Sequence, residues 1–163
     1  ISDGQEVVSL SAGAYTAASP VITDGKVFFG TFDNEVVGTD LKTHELLWQY
    51  EHPRRHFPFY SSALATQDTV VIGGRDKMVH AIDEHTGEGL WTFTTQARVD
   101  SSPAASGNRI YAGSSDGRLY VLDLDTGEKL WEFDTAAPLV ASPAIAESRL
   151  VIGSEDGILY CFG

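Results

Sequence analysis

A chain of 163 residues, 42% hydrophobic and 21% charged, is long enough to bury a real core as one domain. Asp and Glu outnumber Lys and Arg by 23 to 11, a formal charge of −12, which argues against a nucleic-acid footprint and against an anionic membrane surface. No apolar run approaches the roughly eighteen residues of a membrane span, and with one cysteine, Cys161, no internal disulfide can form.

The N-terminus, "ISDGQEVVSL", has no initiator Met, basic n-region or apolar h-region, so a removed leader or a trimmed piece is expected. Residues 4–20, "GQEVVSLSAGAYTAASP", align without a gap to residues 87–103, "GEGLWTFTTQARVDSSP", and so read as the tail of a repeat. The unit beginning "ASPVITDGKVFFG" at Ala18 recurs as "SSALATQDTVVIGG" at Ser61, "SSPAASGNRIYAG" at Ser101 and "ASPAIAESRLVIG" at Ala141. The units are residues 18–60, 61–100, 101–140, and 141–163 plus 1–17. Trp48, Trp91 and Trp131 share one position, where the N-terminal segment has Val8. On the same alignment Gly163 stands in for Asp123 and Ile1 for Leu124, so the last unit resumes at the first residue. This predicts that residues 6–10 pair as an outer strand beside residues 158–162, within the chain or in a second copy.

Period-two alternation and β-branched content place four short strands in each unit; in the third they are residues 102–105, 109–114, 118–122 and 129–133. Asp116-Gly117 and Thr126-Gly127-Glu128 are the intervening turns, with Gly available for positive φ. Asn34 and His44 replace those glycines in the first unit and tolerate the left-handed region; Lys77 fits it poorly. Pro20, Pro103 and Pro143 open first strands, which must then lie at a sheet edge. Four antiparallel strands per repeat predict an all-β propeller forming a single domain over residues 1–163, with four blade equivalents and the last blade closed by the N-terminal strand.

"GSSDGRLYVLDLDTGEKLWEF" resembles the repeat of the PQQ-like β-propeller family, whose members include bacterial quinoprotein dehydrogenases and non-catalytic propellers such as the outer-membrane assembly lipoprotein. The resemblance implies seven or eight blades in a complete ring, so this chain is expected to be half of an eight-bladed ring completed by a second copy, or a fragment, ahead of a small four-bladed ring. It also implies that Trp48, Trp91 and Trp131 pack between neighbouring blades as structural repeat residues. An extracytoplasmic, periplasmic location is the corresponding expectation.

Asp33, Asp76, Asp116 and Asp156 recur once per unit and read as turn caps rather than cation ligands, as do Asp40, Asp83 and Asp123. No unrepeated acid stands in a distinctive motif and there are no adjacent cysteines, so no catalytic residue and no cofactor is assigned. His52 and His56 are interrupted by Pro53 and lack a third ligand, so no metal is assigned either. The segment "EHPRRHFPFY", residues 51–60, breaks the repeat with three extra residues. The turn after a second strand and the crossover after a fourth emerge on one face of a blade. Arg54, Arg55, Phe57, Phe59 and Tyr60 should therefore share a rim with Arg75 and Lys77 and form a binding site for a protein or peptide partner of acidic or aromatic-rich character. The leading expectation is a non-catalytic interaction or scaffold module; a piece of a quinoprotein oxidoreductase and a sensing domain of a larger receptor are the alternatives.

Overall fold

The computed structural model describes residues 3–66 and 68–163. Its strands form four antiparallel sheets in chain order. The first holds β1 (Val21–Thr23), β2 (Lys26–Gly30), β3 (Glu35–Asp40) and β4 (Leu46–Glu51). The second holds β5 (Leu64–Ala65), β6 (Thr69–Gly73), β7 (Met78–Asp83) and β8 (Gly89–Thr94). The third holds β9 (Ala104–Ser106), β10 (Arg109–Gly113), β11 (Arg118–Asp123) and β12 (Lys129–Asp134). The fourth has three strands, β13 (Ala144–Ala146), β14 (Arg149–Gly153) and β15 (Leu159–Phe162).

Each sheet is a blade whose strands pair with their chain neighbours, because two- to five-residue turns return the chain antiparallel. Asn34, His44, Lys77, Gly87, Gly117, Gly127 and Gly157 all carry positive φ at these turns. Where β3, β7 and β11 meet the outer strand, the register shifts at Gly38/Thr39, Ala81/Ile82 and Val121/Leu122. Such bulges increase local twist, as the steep blades of a propeller require. Pro20, Pro103 and Pro143 immediately precede the inner strands β1, β9 and β13, where no ladder N–H is needed.

The core lies between blades. Phe28, Val36, Trp48 and Tyr50 of the first blade interdigitate with Phe59, Val70, Ile72 and Ile82. Val71, Val79 and Ala81 meet Ile110, Ala112 and Leu122 in the next layer, and Leu119 meets Leu150 and Ile152 in the last. Each such valine, leucine, isoleucine or phenylalanine contributes roughly 1.5–3 kcal/mol by leaving water. The tryptophans close the outside of each layer. Trp48 donates its indole N–H to the Glu84 carbonyl at 2.8 Å, and Trp91 to the Leu124 carbonyl at 2.9 Å. A Cβ on Gly87 would stand 2.7 Å from Trp48, and one on Gly127 2.5 Å from Trp91, so these turns need glycine for contact as well as for φ.

The inner rim holds a feature not anticipated from the sequence. Ser19 N–H donates to Ser62 Oγ at 2.9 Å, Ser62 N–H to Ser102 Oγ at 2.9 Å and Ser102 N–H to Ser142 Oγ at 3.1 Å. This ladder links the inner edges of successive blades. Its sequence signal is a serine once per unit, directly before proline in three units of four.

Closure of the last blade within the chain is not what the structure shows. Residues 6–10 form no strand, and β15 keeps its outer edge open, with Leu159 70% exposed. The N-terminal segment lies instead along the first blade, where Val8 and Leu10 border a cavity with Val27, Phe29 and Leu41. The four blades thus form an open arc. The fit of Gly163 to Ile1 involves a residue outside those described.

Candidate functional site

The crossover after β4 and the turn between β6 and β7 do meet on one rim. Arg75 N–H donates to the Pro58 carbonyl at 3.1 Å, and an Arg55 guanidinium N–H to the Asp76 carbonyl at 2.6 Å. The first of these bonds recurs in every blade, from Phe32 to Tyr15, Ser115 to Arg98 and Glu155 to Pro138, so the repeat itself positions the crossover.

The seven sequence-assigned residues divide on this scaffold. Arg54, Phe57, Tyr60 and Lys77 are exposed, with Phe57 51% accessible. Arg55 is half-buried. Phe59 is a correction: it is only 2% exposed, packed against Tyr50 and beneath Gly30, and belongs to the core. The crossover must plug the gap between two blades, and the second of its two phenylalanines points inward to do so. Arg75 is a correction too, as an available cation. Its guanidinium lies 4.2 Å over the Tyr60 ring and donates to both oxygens of Asp100 at 2.9 and 3.1 Å, a carboxylate shared with Arg98. A bidentate, stacked arginine is a strut. Lys77 holds φ +72°, an uncommon conformation for a non-glycine residue, while its side chain points to solvent.

Beneath this rim lies a polar network. His80 is fully buried; one ring nitrogen, Nδ1, is 3.1 Å from the Tyr50 hydroxyl and the other, Nε2, is 3.1 Å from Asp76 Oδ1. Asp76 Oδ1 also accepts the Met78 N–H, the turn cap foreseen from the sequence, while Asp76 Oδ2 is buried without a partner among the described residues. Burial opposes charge on Asp76, but the His80 hydrogen bond and charge outweigh it and hold the carboxyl below its usual range. Burial and the Asp76 charge push the Tyr50 phenol up to about 12. His52, whose ring sits 5.7 Å from that of His80, is lowered by desolvation and by the His80 charge. The third blade builds the same place differently: Tyr120 donates to Asp116 at 2.8 Å and packs on Phe93. His80 in place of Tyr120, with Tyr50 in place of Phe93, makes the second blade unusual. Above the network, a cleft of about 290 Å³ is lined by His52, Arg54, Arg55, Met78 and Thr92. A neighbouring one of about 460 Å³ includes Tyr50, Pro53 and Trp91.

Most of the remaining repeat acids are caps; Asp33 is a correction, because in its turn the Thr31 hydroxyl accepts the Asp33 and Glu35 N–H groups instead. Asp116 and Asp156 accept N–H groups of Arg118 and Ile158, and Asp40, Asp83 and Asp123 each accept two backbone N–H groups.

Four repeated antiparallel blades with interblade tryptophans define a β-propeller of PQQ-like repeats. Comparison with known proteins agrees. The profile of the PQQ-like repeat family described as outer membrane protein assembly factor BamB matches residues 1–79 and 75–162, and the chain belongs to that family. Over 94 residues, 49% of this chain and 12% of the relative, it is 31% identical to the dehydrogenase subunit of alcohol dehydrogenase (quinone) from Gluconobacter oxydans. Among solved structures, BamB from Moraxella catarrhalis superposes with a TM-score of 0.82 at 22% identity, over 93% of this chain and 47% of BamB. The computationally designed Ika4 protein superposes with a TM-score of 0.85 at 25% identity, over 98% of both chains. This chain therefore spans a small part of its dehydrogenase relative and about half of BamB.

Proposed function

We propose that the chain is a non-catalytic interaction module that docks an acidic, aromatic-bearing segment of a partner protein on the rim formed by Arg54, Arg55, Phe57, Tyr60 and Lys77. The observation that carries this is Lys77. Its backbone conformation costs about 1 kcal/mol relative to glycine, and the residue is exposed. Local strain of this kind concentrates at functional surfaces. Around it stand an exposed phenylalanine and tyrosine with arginines, the residue types of interface hot spots, in a chain of charge −12. Arg75 and Phe59 serve from below, holding Tyr60 and the crossover in place. The family's description as an outer membrane protein assembly factor supports both a protein partner and an extracytoplasmic location.

The test pairs two measurements on Arg54→Ala/Phe57→Ala and on Lys77→Gly. The first variant should keep its melting temperature and lose at least tenfold in affinity for a labelled peptide rich in Asp, Glu and Tyr. Lys77→Gly should melt higher and also bind more weakly. Unchanged peptide affinity in both variants would show that the rim is not the docking site.

The quinoprotein alternative rests on the identity to the Gluconobacter dehydrogenase subunit. A quinone–calcium site needs convergent acids and a free indole face. Among the described residues, no three His, Cys, Asp or Glu side chains converge; Trp48 and Trp91 are engaged between blades, and Trp131 is 45% exposed. We therefore favour the interaction module over this alternative. A shift in quinone absorbance on adding PQQ with calcium would reverse this conclusion.

A further inference from the structure

Three kinds of contact made at internal blade junctions are left half-made towards the two ends of the arc, and the halves match. The first is the tryptophan contact. Trp48 and Trp91 each cover a glycine turn of the next blade and donate to a carbonyl there. Trp131 is 45% exposed and its indole N–H has no acceptor among the described residues. At the other end, Gly4 has φ +71°, beside +75° for Gly87 and +72° for Gly127, and nothing lies within 4 Å of where its Cβ would be. Asp3 accepts the Gln5 N–H just as Thr86 and Thr126 accept those of Glu88 and Glu128. Residues 3–5 thus keep the shape of the turn that Trp131 lacks.

The second contact is the strand. Residues 8–15 already sit on the first blade as a preceding fourth strand and crossover would, with Phe32 N–H donating to the Tyr15 carbonyl at 2.8 Å as the equivalent residues do at later junctions. Yet they pair with no strand, while β15 lacks its outer neighbour. The third contact is the serine ladder, which ends with the Ser142 N–H at one end and the Ser19 hydroxyl at the other. A donor, a strand edge and an indole on the last blades thus face an acceptor, a strand and a glycine turn on the first.

We infer that a second copy of this chain supplies these missing halves: residues 3–11 of each copy add as the fourth strand of the other's last blade, and two arcs close a two-fold, eight-bladed ring. This continues the interblade interface already built three times within the chain, so no new kind of contact is required. The third blade fixes the register. There Leu119 pairs with Phe133, Tyr120 with Glu132 and Val121 with Trp131. The corresponding pairs across copies are Leu159 with Leu10, Tyr160 with Ser9, and Cys161 with Val8.

That last pair provides the experiment. Light scattering of the unmodified chain at micromolar concentration should give twice the 17.6 kDa chain mass. Val8→Cys, mildly oxidised, should form a disulfide with Cys161 of the other copy and run as a covalent dimer without reductant. Ser9→Cys should not, because adjacent strand residues point to opposite faces. A stable monomer of the unmodified chain overturns the inference. So does a Val8→Cys disulfide within one chain, the mark of a four-bladed ring, or equal bridging by both cysteine variants.

Discussion

At residue 80 the second blade replaces a phenol with an imidazole, and the consequence is a chain of buried hydrogen bonds from Tyr50 through His80 to Asp76. Every link is closed except Asp76 Oδ2. Removing one partner from such a network strands another. Tyr50→Phe leaves a His80 nitrogen buried without its partner and should lower stability by about 1–3 kcal/mol. The double variant Tyr50→Phe/His80→Tyr rebuilds the pairing that Phe93 and Tyr120 make in the third blade, with the new phenol directed at Asp76 as Tyr120 is at Asp116. It should recover most of that loss. Urea denaturation of the two single variants and the double measures the coupling, and simple additivity would show that the pair does not act as a unit.

At the scale of the element, the turns between third and fourth strands are held by carboxylates. The backbone N–H of Thr43 is the main cause that lowers the Asp40 pKa, that of Thr86 does so for Asp83, and that of Thr126 for Asp123. Each carboxyl is therefore more acidic folded than unfolded. The stability this contributes is complete above the unfolded value of 3.8 and is lost as pH falls through the lower folded values. The urea midpoint should hold level down to about pH 5 and decline below about pH 4. Asn at all three positions keeps an oxygen for the N–H groups but does not titrate, so that variant should show a shallower acid decline. An unchanged acid slope would place the titrating groups elsewhere.

For the whole molecule, stability resides between blades rather than within them. A blade's own sheet exposes apolar side chains on both faces, and each layer forms only when the next blade stacks on it. The arc ends expose what the interior junctions cover better: Trp131 and Leu159 at one end and Ile22 at the other. If the arcs pair as inferred, folding and association are linked, and the melting temperature should rise with protein concentration. A melting temperature constant over a hundredfold range of concentration would point to an arc that stands alone.

The repeat, the strands, and the turn glycines with their Asn34, His44 and Lys77 substitutes are all legible in the sequence, because each depends on interactions within a few residues or on a pattern written several times; the interblade role of the tryptophans came from the family resemblance. The rim was legible as a place, since the repeat geometry sets which loops are neighbours. Its composition was not. The crossover at residues 51–60 has no periodicity to say which aromatic faces inward, so only the packed gap between two blades decides that Phe59 is core and Phe57 surface. Arg75 became a strut because Asp100, twenty-five residues on, is brought beside it by the next crossover. The serine ladder and the Tyr50–His80–Asp76 network likewise join residues from different blades. Local hydrogen bonding and periodicity are encoded along the chain; which side chains meet across blades is set by the stacking of one sheet on another.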